Sequence, residues 1–280
     1  MASAASAQSL WSAKSYLKEG KYYEAAKELQ PLANGGDAEA QYLAATLFFE
    51  GKGVNKQSDE QGIKYATLSA NQGYGDAVCL LYGYYLQKEN QQQAYEILQN
   101  YTERFPSLLK EKPGYCLAIC YLKGYGVAAD TEKAWEIIKG NQQEADFKKE
   151  YHKEYINYIS EKYQREIREF EKNNPDVVSV AYPSPSFPGG AQAMNAWLYR
   201  NLRYPVLAEE EGIQGRVIIY LVVEKDGSIG YVNISRSVDP ILDQEAIRVV
   251  KAMPKWIPGK GSNGRPVRTS YTLPITFRLQ

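Results

Sequence analysis

The chain has 280 residues, which is enough for two ordinary domains. Its 33 basic and 33 acidic residues cancel, so no net charge favours nucleic acid or an anionic membrane as a partner. Histidine occurs once, which leaves little scope for histidine-based acid–base or metal chemistry. The three cysteines cannot form a fully paired disulfide framework, and we interpret them as small buried hydrophobic residues.

The N-terminal stretch MASAASAQSLW is rich in serine and alanine. Its composition is similar to the end of a secretory signal, but it lacks the apolar core that such a signal needs. We therefore leave residues 1–8 out of the fold prediction. No run in the sequence approaches the ~20 apolar residues that cross a bilayer, so no membrane anchor is predicted within it.

Residues 9–143 contain internal repeats. The stretches 40–54 and 114–127 share a helical apolar pattern, an aromatic–apolar pair and a final G-x-G-V turn, and they lie two units of about 36 residues apart. A unit between them begins at Asp76 and keeps the first helix without the turn, and an earlier unit begins at Ala13. Each unit predicts two short amphipathic helices that bury their apolar faces only against neighbouring units, which is a helical solenoid.

The repeat pattern resembles the Sel1-like branch of the tetratricopeptide superfamily. The resemblance rests on small residues where helices meet and on glycines at the turns, and it implies a scaffold that binds another protein. The G-x-G-V turns do not indicate a nucleotide-binding loop, because such a loop follows a strand and these turns follow helical patterns. The matching residues are Ala40, Ala45, Gly51, Gly53, Val54, Ala70, Gly73, Asp76, Ala77, Gly124, Gly126, Val127, Ala134 and Trp135.

Residues 144–174 are densely charged, and their apolar residues recur every three or four positions. Opposite charges at helical spacing favour a solvated outer face. We expect one long helix that caps the repeat array, because a terminal repeat must cover its exposed face. The single histidine, His152, lies beside the apolar stripe, and we interpret it as a surface residue. The stripe consists of Phe147, Tyr151, Tyr155, Ile159, Tyr163, Ile167 and Phe170.

Residues 175–280 predict a second domain. A Pro- and Gly-rich linker leads into an amphipathic helix over residues 191–202. Two β-rich runs within residues 215–237 then flank an Asp-Gly pair, which favours a tight hairpin turn. The first run is apolar at the positions of both faces, so we expect both faces of this strand to be covered.

The remainder of this domain predicts one helix and one strand. Asp239 followed by Pro240 is typical of a helix start, and Pro254 ends that helix. The last strand is predicted over residues 267–279. The order helix, strand, strand, helix, strand indicates a small α+β domain with a three-stranded antiparallel sheet and packed helices. The whole chain is therefore predicted to be multidomain, with an all-α helical-repeat solenoid followed by this α+β domain.

The second domain closely resembles the TonB C-terminal family, in the form common in Bacteroidetes-type bacteria. The resemblance covers about 95 residues, and its motifs follow one another in the family's order. The motifs are FPGG at 187–190, YP at 204–205, GIQGRV at 212–217, VxxDGSI at 223–229, LDQEAIRVVKAMPKWIPG at 242–259, GRPV at 264–267 and LPITFRL at 273–279.

The resemblance implies a partner-binding site. In the family, the C-terminal domain grips an extended segment of an outer-membrane transporter by adding it as a strand to an exposed sheet edge. A half-polar last strand suits an edge position. An alternative for the YP pair is that it only stops a helix and packs. The residues assigned to partner binding are Tyr204, Pro205, Val267, Arg268, Thr269, Ser270, Tyr271, Thr272 and Leu273.

We therefore predict a non-enzymatic periplasmic adaptor of the Gram-negative cell envelope, which binds an envelope protein through this domain and a second protein through the repeats. The alternative is an energy-transducing TonB protein whose membrane anchor is absent from this chain. Exposed edge strands also leave a strand-exchanged homodimer open.

The sequence predicts no catalytic residue, cofactor, metal site or nucleic-acid partner. It has no Ser/His/Asp set, no cysteine near the only histidine and no metal-ligand cluster. Asp243 and Glu245 are two positions apart on a predicted helix and therefore do not face each other.

Overall fold

The computed structural model describes residues 4–279, which fall into two compact units that divide between Glu150 and Tyr151. The first three residues of the Ser/Ala-rich start lie outside the described part. None of the described helices is long and apolar enough to cross a membrane.

The first unit is a succession of helices in which neighbours along the chain pack as pairs. Alanines are fully buried where the helices meet, because a methyl group lets two helix backbones approach closely. A short 3-10 helix, Pro106–Lys110, joins the third pair to the fourth. The helices are α1 (Ala4–Lys18), α2 (Tyr22–Asn34), α3 (Ala38–Glu50), α4 (Asp59–Ala70), α5 (Gly75–Gln87), α6 (Gln91–Arg104), α7 (Lys112–Lys123), α8 (Thr131–Ile138) and α9 (Glu144–Glu150).

The two G-x-G-V turns have a structural role. Gly51 and Gly124 end α3 and α7 in the left-handed conformation, with φ of 67° and 75°. The second glycine of each turn lies against an earlier part of the array. A Cβ atom at Gly53 would stand 2.0 Å from the Tyr22 carbonyl oxygen, and one at Gly126 would stand 2.2 Å from that of Gln91. The spacing of the two glycines therefore serves helix termination and close backbone packing.

The prediction of a single long helix within residues 144–174 is wrong, because the structure breaks this segment at Tyr151. The shorter helix, α9, buries Phe147 against the rings of Tyr115 and Trp135 and so covers the last helix pair of the array. The longer helix, α10 (His152–Asn173), belongs to the second unit. The apolar stripe predicted from the sequence is therefore divided between the cores of the two units.

The second unit is a three-stranded antiparallel sheet of order β2-β1-β3 with helices on both faces. The inner face packs against α11 and α13, and the outer face packs against α10. The elements are α11 (Gly190–Asn201), α12 (Val206–Glu210), β1 (Gly215–Val223), β2 (Ile229–Arg236), α13 (Pro240–Lys251) and β3 (Thr269–Phe277).

The central strand, β1, is buried on both faces, as its apolar pattern predicts. Ile219 and Leu221 lie in the inner core, while Tyr220 and Val222 pack on the opposite face near Ile167 of α10. The predicted helix start is also confirmed, because the Asp239 carboxylate accepts a hydrogen bond from the amide of Ile241.

Candidate functional site

The outer edge of β3 is the first feature of the candidate site. Alternate residues of an antiparallel strand direct both backbone polar groups to the same side. The Ser270 amide donates to the Val178 carbonyl at 2.9 Å, and the Arg268 carbonyl accepts from the Val178 amide at 3.0 Å. The backbone N–H and C=O groups of the even-numbered residues of β3 therefore point away from β1. Beyond this contact, the outward-facing residues are Thr272, Pro274 and Thr276.

These three residues form what we call the open edge. Their side chains are exposed, and no backbone hydrogen bond joins their outward groups to any residue that the structure describes. Thr272 and Thr276 each offer an amide donor and a carbonyl acceptor, whereas Pro274 offers only a carbonyl. Proline is tolerated at this position because its missing N–H would have pointed away from the sheet.

The N-terminal end of β3 is closed by a segment of the same chain. Val178 pairs with Thr269 in a parallel bridge. The Arg268 guanidinium donates to both oxygens of Glu224, at 2.8 and 3.1 Å, and to Asp176 at 2.9 Å. Glu224 raises the pKa of this guanidinium through its hydrogen bond. Arg268 is therefore engaged within the domain and holds the closing segment in place.

The other strand residues assigned to partner binding serve mostly the sheet and the core. The Val267 amide donates to the Gly259 carbonyl at 3.0 Å. Thr269 and Leu273 are buried, and Tyr271 contacts Trp256 at 5.1 Å between ring centroids. Of that set, only Thr272 lies on the open edge.

Pro274 and Thr276 were missed by the sequence reasoning. A usable signal was present, because a proline inside a strand pattern must have its amide position facing outward at an edge. That rule alone assigns every even-numbered residue of β3 to the outside.

The Tyr204-Pro205 pair lies near the C-terminal end of β3. The Tyr204 hydroxyl donates to the Ile213 carbonyl at 2.6 Å, and its ring meets Phe277 edge to face at 5.8 Å. Pro205 precedes α12 as its N-cap residue. Tyr204 therefore packs within the domain, as the alternative expects, whereas Pro205 lies at the start of α12 and not at the end of α11, which stops at Asn201.

A cleft of about 570 Å³ opens at this same end of the sheet. Its lining includes Thr276 of the open edge, the half-buried Ile218 and three exposed arginines. No salt bridge joins these arginines to a residue in the described part of the chain, so their charge is uncompensated by close contact. The residues of this arginine cleft are Arg216, Arg236 and Arg278.

The opposite edge strand, β2, differs from β3 in the regularity of its ladder and in what covers it. Its ladder with β1 contains two irregularities, whereas the β1–β3 ladder runs without a shift from Gly215 to Val223. Gln164 of α10 donates to the carbonyl of the irregular residue Ser235. The ring of Phe170 in α10 also stacks on the ring of Tyr231 in β2, with 3.8 Å between the ring centroids. Bulges and a covering helix make an edge a poor template for another strand.

The two carboxylates of α13 have separate environments. Asp243 is 1% exposed, and its Oδ2 accepts a hydrogen bond from the Ser237 hydroxyl at 2.6 Å. Burial raises the pKa of Asp243 to about 7. Glu245 instead pairs with Arg248 at 2.6 Å. The two groups do not form an acid–base pair.

Other chemistry-bearing residues are scattered. No group of three or more His, Cys, Asp or Glu residues suited to a metal ion occurs within residues 4–279. His152 is exposed at the start of α10.

Two solved structures of repeat proteins are similar to part of this chain. One is a protective antigen present in uropathogenic Escherichia coli strains that displays an SLR fold, with 23% identity, a TM-score of 0.40 and coverage of 49% of this chain. The chain spans 30% of the length of that structure. Another is a Sel1 repeat protein from Oxalobacter formigenes, with 23% identity, a TM-score of 0.37 and coverage of 45% of this chain and 96% of the other.

Family models match both parts of the chain. Residues 38–74, 74–99 and 115–137 match the Sel1 repeat, and residues 200–279 match the family described as Gram-negative bacterial TonB protein C-terminal. No curated protein matches the chain. Both families are non-catalytic protein-interaction domains. Residues 200–279 therefore form a TonB-type C-terminal domain, and an array of Sel1 repeats precedes it.

Proposed function

We propose that this protein is a periplasmic adaptor of the Gram-negative cell envelope. Its TonB-type domain captures an extended segment of an envelope partner, such as a TonB-dependent outer-membrane transporter. Capture occurs by strand addition to β3. The observation that supports this most directly is the regular β3 ladder with unpaired outward groups at Thr272, Pro274 and Thr276.

The open edge defines what a partner strand would meet. Two amide donors and three carbonyl acceptors alternate along it, over a length of about five residues. Main-chain hydrogen bonds would supply most of the contact, so many sequences could be accepted. The arginine cleft at the end of this edge would favour segments with an acidic residue there, because opposite charges attract across a partly desolvated surface.

The repeat array would bind a second protein, and the chain would then connect two partners. A second candidate function is energy transduction for outer-membrane transport, which the TonB family match favours. In that case, deletion of the gene should abolish energy-dependent uptake of a substrate while the transporter remains in the outer membrane.

A proline at Thr272 tests strand capture. Thr272→Pro removes an outward amide donor and leaves the bonds between β1 and β3 intact, whereas Thr272→Val keeps that donor and serves as the matched control. Full-length variants would be immobilised and exposed to detergent-solubilised envelope proteins, with synthetic N-terminal segments of any captured transporter as defined probes.

We expect the wild type and Thr272→Val to retain such a segment and Thr272→Pro to lose it. Retention by a folded Thr272→Pro protein would exclude strand addition at this edge. Recovery of no envelope protein by the wild type would exclude the adaptor function as a whole.

A further inference from the structure

Gly83 is an unusual residue in the repeat array. It lies in the interior of α5 and is exposed, and a Cβ atom built there would meet no atom within 4 Å. Glycine destabilises a helix interior relative to alanine, because its backbone has more freedom to lose. Within residues 4–279, no neighbouring atom therefore accounts for the absence of a side chain at this position.

Other helix glycines of the array have an internal reason. A Cβ atom at Gly62 would stand 2.6 Å from the ring of Phe49, and one at Gly114 would stand 2.0 Å from the Leu109 carbonyl oxygen. Those glycines are required because neighbouring atoms occupy the space of the side chain. At Gly83 the corresponding space is empty and opens to a groove.

This α5 groove has a volume of about 700 Å³, which is within the range of ligand sites. One face of α5 forms its floor, since the lining positions repeat at three and four residues from Asp76 to Gln87. The stacked rings of Phe49 and Tyr84, 4.9 Å apart, line the same groove. The floor is about 16 Å long, which matches about five residues of extended chain.

Unpaired charges lie among the groove's lining residues. Asp76 of α5 and Lys112 of α7 form no salt bridge with a residue in the described part of the array. Asp59 and Lys88, which also line the groove, are already paired at 3.0 Å. An occupant that carries both an acidic and a basic residue would compensate the two unpaired groups.

We propose that the α5 groove binds an extended peptide segment of a partner protein, whose main chain crosses Gly83 and whose acidic and basic residues meet Lys112 and Asp76. A glycine suits this role because it lets another backbone approach closely. This inference rests on the proposed binding of a second protein by the repeats, but the site is separate from the β3 edge and does not depend on strand capture there.

The test uses the full-length protein and a phage-displayed library of random 12-residue peptides. Selected sequences would be synthesised, and their affinities measured by fluorescence anisotropy. Gly83→Leu fills the groove, and Lys112→Glu reverses a charge without filling it. Asn100→Leu, at an exposed position of α6 outside the groove, is the matched control, and Thr272→Pro reports on the β3 edge.

We expect selected peptides to carry charges of both signs and to lose at least tenfold in affinity with Gly83→Leu and with Lys112→Glu. Asn100→Leu and Thr272→Pro should leave that affinity unchanged. The proposal is overturned if no peptide enriches, if the selected peptides lack charged residues, or if they bind both groove variants as well as the wild type. Loss with Thr272→Pro alone would place the peptides on the β3 edge and would equally overturn it.

Gly83→Ala supplies an independent measurement. We expect it to raise the melting temperature of the array by roughly 2 to 4 °C, because alanine favours the helix and meets no neighbour. A lower melting temperature would show that the fold itself needs this glycine, and the functional reason for it would be lost.

Discussion

The two edge strands of the sheet, β2 and β3, differ in the regularity of their ladders with β1 and in what covers them. β2 joins β1 through a ladder with two irregularities, and α10 packs on its outer face. β3 joins β1 through a continuous ladder and leaves the outward groups of Thr272, Pro274 and Thr276 unpaired within the described part of the chain. Being at an edge therefore does not make a strand available. Availability depends on regular geometry and on what covers the strand.

The largest expected effect distinguishes the β3 residues whose amides face β1 from those whose amides face outward. The Tyr271 amide faces β1, so Tyr271→Pro removes a ladder hydrogen bond and leaves its acceptor unpaired, which should destabilise the domain by about 3 kcal/mol. Thr272→Pro, one residue away, should cost less than about 1 kcal/mol. Urea unfolding of the full chain measures both changes, with Tyr271→Val as the control that keeps the amide. Equal losses from the two prolines would contradict the assignment of inward and outward residues.

Removing the cover of β2 should have the next largest effect. Phe170→Ala deletes the ring that stacks on Tyr231 at 3.8 Å, and we expect a loss of about 2 kcal/mol because the ring is half-buried. Lys172→Ala, at an exposed position of the same helix, should be nearly neutral. Hydrogen exchange should show faster opening of β2 than of β3 in Phe170→Ala. Unchanged exchange in β2 would mean that α10 does not protect this edge.

The β2 side should also respond to pH through Asp243. The Ser237 hydroxyl donates to Asp243, and the Ser237 amide donates to Ser160 of α10 at 3.3 Å. Burial raises the pKa of Asp243 to about 7, well above the ordinary value of an aspartate, so the folded state binds the proton more tightly than the unfolded state. Stability should therefore increase as pH falls from 8 to 5, by on the order of 2 kcal/mol.

Asp243→Asn should flatten this dependence, because an amide does not titrate. The check is a series of urea unfolding curves at several pH values for both proteins. A pH profile that is the same in the wild type and the variant would assign the dependence to other groups.

A smaller effect should follow from releasing the segment that closes the N-terminal end of β3. Arg268→Gln removes the charged contacts to Glu224 and Asp176. Because the Asp176 side chain is largely exposed, we expect the free energy of unfolding to fall by only about 1 kcal/mol. The amide of Ser270, now bonded to Val178, should exchange faster with solvent. The open edge would then be longer, and captured segments should bind more tightly. Unchanged exchange at Ser270 would show that Arg268 does not hold the segment.

The smallest effect concerns the arginine cleft. Arg236→Gln should lower the affinity for acidic partner segments a few-fold at low salt and leave neutral segments unaffected, because screening weakens such contacts. Arg200→Gln, at an exposed position of α11 outside the cleft, is the matched control. An equal loss for both variants would indicate a general charge effect rather than a site.

Much of the architecture was predictable because its signals are local. The glycine turns at Gly51 and Gly124, the capped helix start at Asp239 and the two-faced apolar strand β1 each appear within a short stretch of sequence. The division of the apolar stripe was not predictable in this way. The apolar stripe of residues 144–173 does not reveal that a break at Tyr151 divides it between two cores.

The candidate site was predictable only in part. The resemblance located it on the last strand, but the choice of residues along that strand depends on which amides face β1. The closure of its first half by Val178 is a contact between residues about 90 positions apart, and no local pattern encodes it.

By itself, the sequence determined the kinds of elements, their order and the two families, because periodicity, turn residues and spaced motifs are properties of neighbouring residues. Only the tertiary structure decided which edge is open, which arginines line one cleft and that Gly83 faces empty space. Those features arise from packing between distant segments, where the presence or absence of a neighbour gives the same side chain a different role.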